Sequence, residues 1–200
     1  AGAPKGGVLV IQEIFGVNQH IREVCEGYAR AGYRALAPAI FDRVEKGIEL
    51  GYEGEDITRG ATIARGKLEM STTLQDLQAG IDYLQDAGKV GVVGYCFGGL
   101  LTWLCAAGAK GIACASGYYG GGIIQANDQQ PKVPTILHFG EHDAHIPLTD
   151  VEQIRAAHSD VTVYVYDADH GFNCDHRASY NAAAAEKALE RTLAHFGGHM

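Results

Sequence analysis

The sequence has no run of 18 or more apolar residues, so nothing in it reads as a membrane-spanning helix and no membrane partner is expected. Its opening residues, "AGAPKGG", lack the apolar core of a signal peptide, and none is expected. Basic residues are few: 16 Lys and Arg stand against 24 Asp and Glu, a formal charge of −8. A nucleic-acid surface needs clustered Lys and Arg, so that class of partner is set aside. The five cysteines (Cys25, Cys96, Cys105, Cys114 and Cys174) are an odd number without CxxC spacing. They suit reduced thiols in a cytoplasmic protein better than a disulfide framework or a zinc site. No cofactor or metal is implied. Internal repeats and low-complexity linkers are also missing.

What is present is a chain of 200 residues, 46% hydrophobic and 20% charged, enough for one domain with a sizeable core. That domain is assigned to residues 1–197, with 198–200 expected to be a disordered end or an expression remnant. Strand-length apolar runs alternate with amphipathic stretches. Strands are predicted at 6–13, 33–38, 89–95, 111–119, 134–140 and 161–167. Helices are predicted at 20–32, 71–88 (capped by Ser71 and ended by Gly88), 97–109, 149–158 and 179–196. Residues 39–60 show no period and read as a long loop. This alternation predicts a mostly parallel α/β sheet with helices on both faces and ligand sites at the carboxyl ends of its strands.

"GYCFG" (94–98) fills the G-x-S-x-G frame of a nucleophile elbow, with sulfur in place of the serine oxygen. A predicted strand precedes it and a predicted helix follows. A thiolate at such a turn is favoured by the positive end of the helix dipole. Cys25, Cys105 and Cys114 lie on apolar faces and read as structural thiols. A nucleophile needs a base and an orienter, in the chain order nucleophile, acid, histidine. Asp143 follows one predicted strand and His170 the next, so both reach the carboxyl edge with Cys96. Among the rivals, His138 lies inside a strand and reads as core. His142 and His145 flank Asp143 without a common zinc spacing. Asp167 and Asp169 are close in sequence to His170, and Asp175 and His176 read as surface groups.

The segments "QEIFGVN" (12–18), "GYCFGG" (94–99), "GYYG" (117–120), "HFGEHDAHIP" (138–147) and "HGFN" (170–173) together resemble the dienelactone hydrolase family. The resemblance runs in order along nearly the whole chain. It implies an α/β-hydrolase fold and a Cys-His-Asp triad of Cys96, His170 and Asp143. It further implies that Glu13 contacts the resting thiol and helps deprotonate it, and that the backbone N–H groups of Ile14 and Phe97 form an oxyanion hole. Members usually carry a further strand pair before the stretch matching "PKGGVLVIQEIFG", so this chain reads as a fragment, a trimmed form or a shortened relative.

The family's substrate-carboxylate arginines have no in-register counterpart here. Arg59 and Arg65 lie in about the right region, and Arg177 follows His170 later than the family's arginine does. Arg177 is the first choice, because residues 171–177 must fold back near His170. Tyr118 and Tyr119, at a strand end, read equally as pocket aromatics or as core. The expected reaction is hydrolysis of a small-molecule lactone or activated ester. A promiscuous carboxylesterase or thioesterase using the same triad is the second reading. A non-catalytic binding or redox-sensor protein is the third.

Overall fold

The computed structural model describes residues 2–200. Six strands form one sheet: β1 (Gly7–Ile11), β2 (Arg34–Leu36), β3 (Val90–Tyr95), β4 (Ile112–Tyr118), β5 (Thr135–Gly140) and β6 (Thr162–Tyr166). Their order is β2-β1-β3-β4-β5-β6, and every neighbouring pair is parallel. The chain steps from β1 outward to β2, then returns to place β3 on the other side of β1. That reversal opens a crevice at the carboxyl ends of β1 and β3, where ligands bind in open α/β sheets.

Six α-helices surround the sheet: α1 (Gln19–Arg30), α2 (Glu55–Thr62), α3 (Met70–Leu84), α4 (Phe97–Gly108), α5 (Leu148–Ala157) and α6 (Ala182–His199). Side chains alternate faces along a strand, so β1 feeds both layers. Val8 and Val10 join Ile21 and Tyr28 of α1 and Phe196 of α6. Leu9 and Ile11 join Leu77, Ile81 and Leu84 of α3 and Leu101 and Cys105 of α4. Both faces of the strand are therefore dry, which is why it reads as a continuous apolar run.

Three expectations are corrected. Residues 39–60 are not one loop: they hold a 3-10 turn at Ile40–Arg43 and the start of α2, which runs on into a π turn at Ile63–Lys67. The apolar residues there (Ile40, Phe41, Ile48, Leu50) are buried from short turns, which leaves no regular period to read. Ser71 is not the cap of α3. The helix starts at Met70, and the Thr72 and Thr73 hydroxyls donate to the Glu69 carbonyl. Residues 198–200 are not a loose end either. α6 continues to His199, and Met200 packs against the core beside Gly6 and Gly91.

His138, inside β5, is core as expected, meeting the Tyr166 hydroxyl at 2.7 Å and the Thr192 hydroxyl at 3.2 Å. Burial, aided by Arg191 and His195, lowers its pKa to about 3. It is neutral when folded and titrates near its ordinary value when unfolded. Its contribution to stability is therefore complete above pH ~6.5 and is lost as pH falls toward 3. The loss should reach on the order of 4–5 kcal/mol at the acid end. Urea midpoints measured from pH 7 down to pH 4 should fall steeply in wild type and less steeply in His138→Gln; equal slopes would remove His138 from the acid response.

Candidate active site

Cys96 stands between the end of β3 and the first turn of α4, with φ 54° and ψ −113°. A non-glycine residue held there is strained, and the strain turns its side chain out at the carboxyl edge of the sheet. The flanking glycines are required by contact. A Cβ on Gly94 would lie 2.0 Å from the Gly98 carbonyl oxygen, and one on Gly98 would lie 2.3 Å from that of Ile11. The Cys96 N–H donates to the Tyr118 carbonyl at 3.0 Å, fixing the turn to β4.

Three side chains line up from three strand ends. His170 Nε2 lies 3.2 Å from the Cys96 sulfur, and His170 Nδ1 lies 2.7 Å from Asp143 Oδ2. The other Asp143 oxygen accepts the backbone N–H groups of His145 (2.8 Å) and Ile146 (3.2 Å). The carboxylate side chain is wholly buried, while the imidazole remains 11% exposed. Burial opposes a charge on His170, but its bonds to Asp143 and then to Cys96 outweigh it and push its pKa up to about 10. The loops bearing Asp143 and His170 are stitched together, Glu141 N–H donating to Tyr166 O and His142 N–H to Ala168 O.

Glu13 follows β1 and is 1% exposed. One of its oxygens meets Arg177 Nη1 at 3.3 Å; the other is buried without a hydrogen-bond partner among the described residues. The expected contact of Glu13 with the resting thiol is thus replaced here: the sulfur meets His170 and the carboxylate meets Arg177. The guanidinium also faces the rings of Phe15 and Tyr52, 5.8 and 5.7 Å from their centroids. Burial works against the Arg177 charge, yet Glu13, Tyr119, Cys96 and Cys174 hold its pKa above the ordinary arginine value. The fold-back of 171–177 is made by Gly171, whose φ of +78° suits glycine and whose Cα side lies flat against that guanidinium. A cleft of about 570 Å³, lined by Tyr52, Asp56, His176 and Arg177, opens beside the pair.

Residues 1–200 match the model of the dienelactone hydrolase family. The chain belongs to that family. It is 40% identical to "Putative carboxymethylenebutenolidase" of Synechocystis over 92% of its length and 82% of that protein. To the carboxymethylenebutenolidase of Pseudomonas putida it is 35% identical, over 96% of this chain and 86% of the relative. A crystal structure of "Putative Dienelactone Hydrolase" from Klebsiella pneumoniae superposes with a TM-score of 0.88 at 31% identity, covering all of this chain and 89% of the other. The fold is that of the α/β-hydrolases, and the protein is a hydrolase of carboxylic esters or lactones.

The remaining residues of this dienelactone hydrolase family member sort by contact. Ile14 begins the turn after β1 and Phe97 opens α4, and among the described residues neither N–H has a backbone partner. Tyr119, with φ 34°, sets its ring 5.1 Å from that of His170, and its buried hydroxyl has no partner among the described residues. Tyr118 does not line the site. It is core, its hydroxyl 2.7 Å from that of Thr192. Arg59 is exposed and paired with Glu45 at 2.7 Å. Arg65 lies exposed on the π turn. Neither is brought to Cys96, because both sit on the solvent side of a segment whose buried residues face Ile14 and Leu50. His142 is exposed and pairs with Asp167, so neither competes for His170.

Sequence reasoning missed Phe15 and Tyr52, the rings around Arg177. Phe15 stood in the "QEIFG" segment, but Tyr52 lay in the aperiodic stretch and carried no signal. It is brought in by Asn18, whose side chain caps α1 and donates to Leu50 O and the Tyr52 hydroxyl.

Proposed function

We propose that this hydrolase opens its substrate through a thioester on Cys96, with His170 and Asp143 completing a triad. The single observation that carries the reading is the line from Cys96 sulfur to His170 to Asp143 at a strained elbow. The thiolate attacks the carbonyl carbon, and the Ile14 and Phe97 N–H groups hold the oxyanion. The ring C–O bond breaks, and the departing oxygen takes the His170 proton. His170 then deprotonates water, which attacks the thioester and releases the acid and the thiolate. A thiolate is itself readily expelled, so the first step completes only against a good leaving group such as an enolate. That favours enol lactones over simple alkyl esters and amides. Glu13 serves as a second proton acceptor for the thiol, released for that task when its partner Arg177 turns to an incoming anion. Five free thiols support a reducing, cytoplasmic setting.

The substrate proposed is a dienelactone that carries its own carboxylate, received by Arg177. In an acidic protein a buried carboxylate needs a local cation. Arg177 offers one at the cleft. Arg177→Lys should raise KM for a dienelactone at least tenfold and leave a neutral aryl ester nearly unchanged, since lysine keeps the charge but loses the fork. Equal losses on both substrates would mean that Arg177 serves only to hold Glu13 and its loop.

A further inference from the structure

Asp175 and His176, which read as surface groups in the sequence, meet two residues of α1. His20 Nδ1 lies 3.4 Å from Asp175 Oδ1, and His176 Nε2 lies 2.7 Å from Glu23 Oε2 and 3.7 Å from Asp175 Oδ1. One ligating atom from each of the four lies within 4.8 Å of the other three. We propose that His20, Glu23, Asp175 and His176 form a binding site for a divalent transition ion of the zinc type, distinct from the Cys96 triad.

The donor set suits such an ion: two imidazoles and two carboxylates match zinc, cobalt and nickel, and the two carboxylates balance a double positive charge. The spacing suits it too. Bonds of about 2.1 Å to a tetrahedral ion place neighbouring ligand atoms roughly 3.4 Å apart. Three of the six separations, 2.7, 3.4 and 3.7 Å, lie on either side of that value, and all six lie within 4.8 Å. The frame is partly rigid. His20 and Glu23 stand three apart on one helix face, and His20 is 4% exposed. Its other nitrogen is buried without a partner among the described residues, so the ring's polar contact is toward the cluster. Gln19 donates to the second Glu23 oxygen at 2.8 Å, the kind of outer contact that orients a ligating carboxylate.

Bound there, the ion ties α1 to the loop 171–177 next to Arg177, and so steadies the residue that holds Glu13. Without it, the two elements are joined across this gap by partly exposed ion pairs, which hold weakly.

The test is a titration of chelator-treated protein with Zn²⁺ by calorimetry and with Co²⁺ by visible absorption, in wild type and in Cys96→Ala. The expected result is one equivalent bound in both proteins, a tetrahedral-type cobalt spectrum, and a Tm higher by roughly 5–10 °C at a hundredfold excess over Kd. Glu23→Gln and His176→Ala replace partly exposed side chains, leave the fold intact, and should each weaken binding at least tenfold. The proposal is overturned by no saturable binding in wild type. It is equally overturned by binding that vanishes only in Cys96→Ala, or that persists undiminished in both site variants and so lies elsewhere. None of these readouts depends on the ester chemistry.

Discussion

Cys96→Ala should lower turnover of an activated ester on the order of 10⁴–10⁶-fold while the protein stays folded, because the thioester proposed above forms on that sulfur. Intact-mass analysis should check the same claim chemically, with iodoacetamide adding one group, at Cys96, as activity disappears. The selectivity has a physical basis in the other four thiols. Burial pushes Cys25 up to about 11 and Cys105, Cys114 and Cys174 up to about 12, so almost none of them is thiolate near neutral pH. Among the described residues, Cys96 is the thiol hydrogen-bonded to an imidazole, at 3.2 Å. Cys96→Ser should retain a small fraction of activity, since the elbow and the free N–H groups survive the exchange of one atom. Its hydroxyl needs His170 to remove a far more strongly held proton, which is why the fraction is small. An alanine variant with undiminished turnover would end the assignment of Cys96 as nucleophile.

The elbow was legible because its constraints are local. Gly94 and Gly98 are dictated by carbonyl oxygens within a few residues or on the adjoining strand, and a five-residue pattern records them. Asp143 and His170 were legible for another reason. In a parallel sheet each strand's carboxyl end is on the same edge, so chain order alone brings the loops after β5 and β6 to the loop after β3. Neither argument reaches the partner of Arg177. Its contact with Glu13 joins residues 164 apart in the chain, and it depends on a tight fold-back at Gly171 that spacing does not disclose. The same loop brings Asp175 and His176 to His20 and Glu23. In the sequence these are four ordinary polar residues, and only the docking of the loop on α1 makes them neighbours. Tyr118 and Tyr119 show the limit most plainly. Adjacent in sequence and both fully buried, they differ only in the backbone: Tyr119 leaves the strand with φ 34° and turns toward His170, whereas Tyr118 continues the pleat into the core.

His170→Ala and Asp143→Asn should each cost about 10²–10⁴-fold in turnover, the scale of a positioned general base. The two losses have different origins. Alanine removes the base outright. Asparagine keeps an oxygen for the N–H groups of His145 and Ile146 but points an NH₂ group at His170 Nδ1, the nitrogen that must itself donate. The imidazole then takes the other tautomer and presents N–H, not a lone pair, to the sulfur and to the attacking water. Linkage adds a second readout. The folded pKa of His170, about 10, lies above its ordinary value, so the stabilisation it contributes is complete below pH ~6.5 and is lost as pH rises through 10. Thermal unfolding followed from pH 6 to pH 10 should therefore decline in wild type more than in His170→Ala. The double variant Cys96→Ala/His170→Ala decides whether the residues act as a unit. If they do, its turnover matches that of Cys96→Ala alone, because the base has nothing left to activate. A further loss of two orders of magnitude in the double variant would show His170 acting apart from Cys96, and the thioester route would have to give way to direct attack by a His170-activated water.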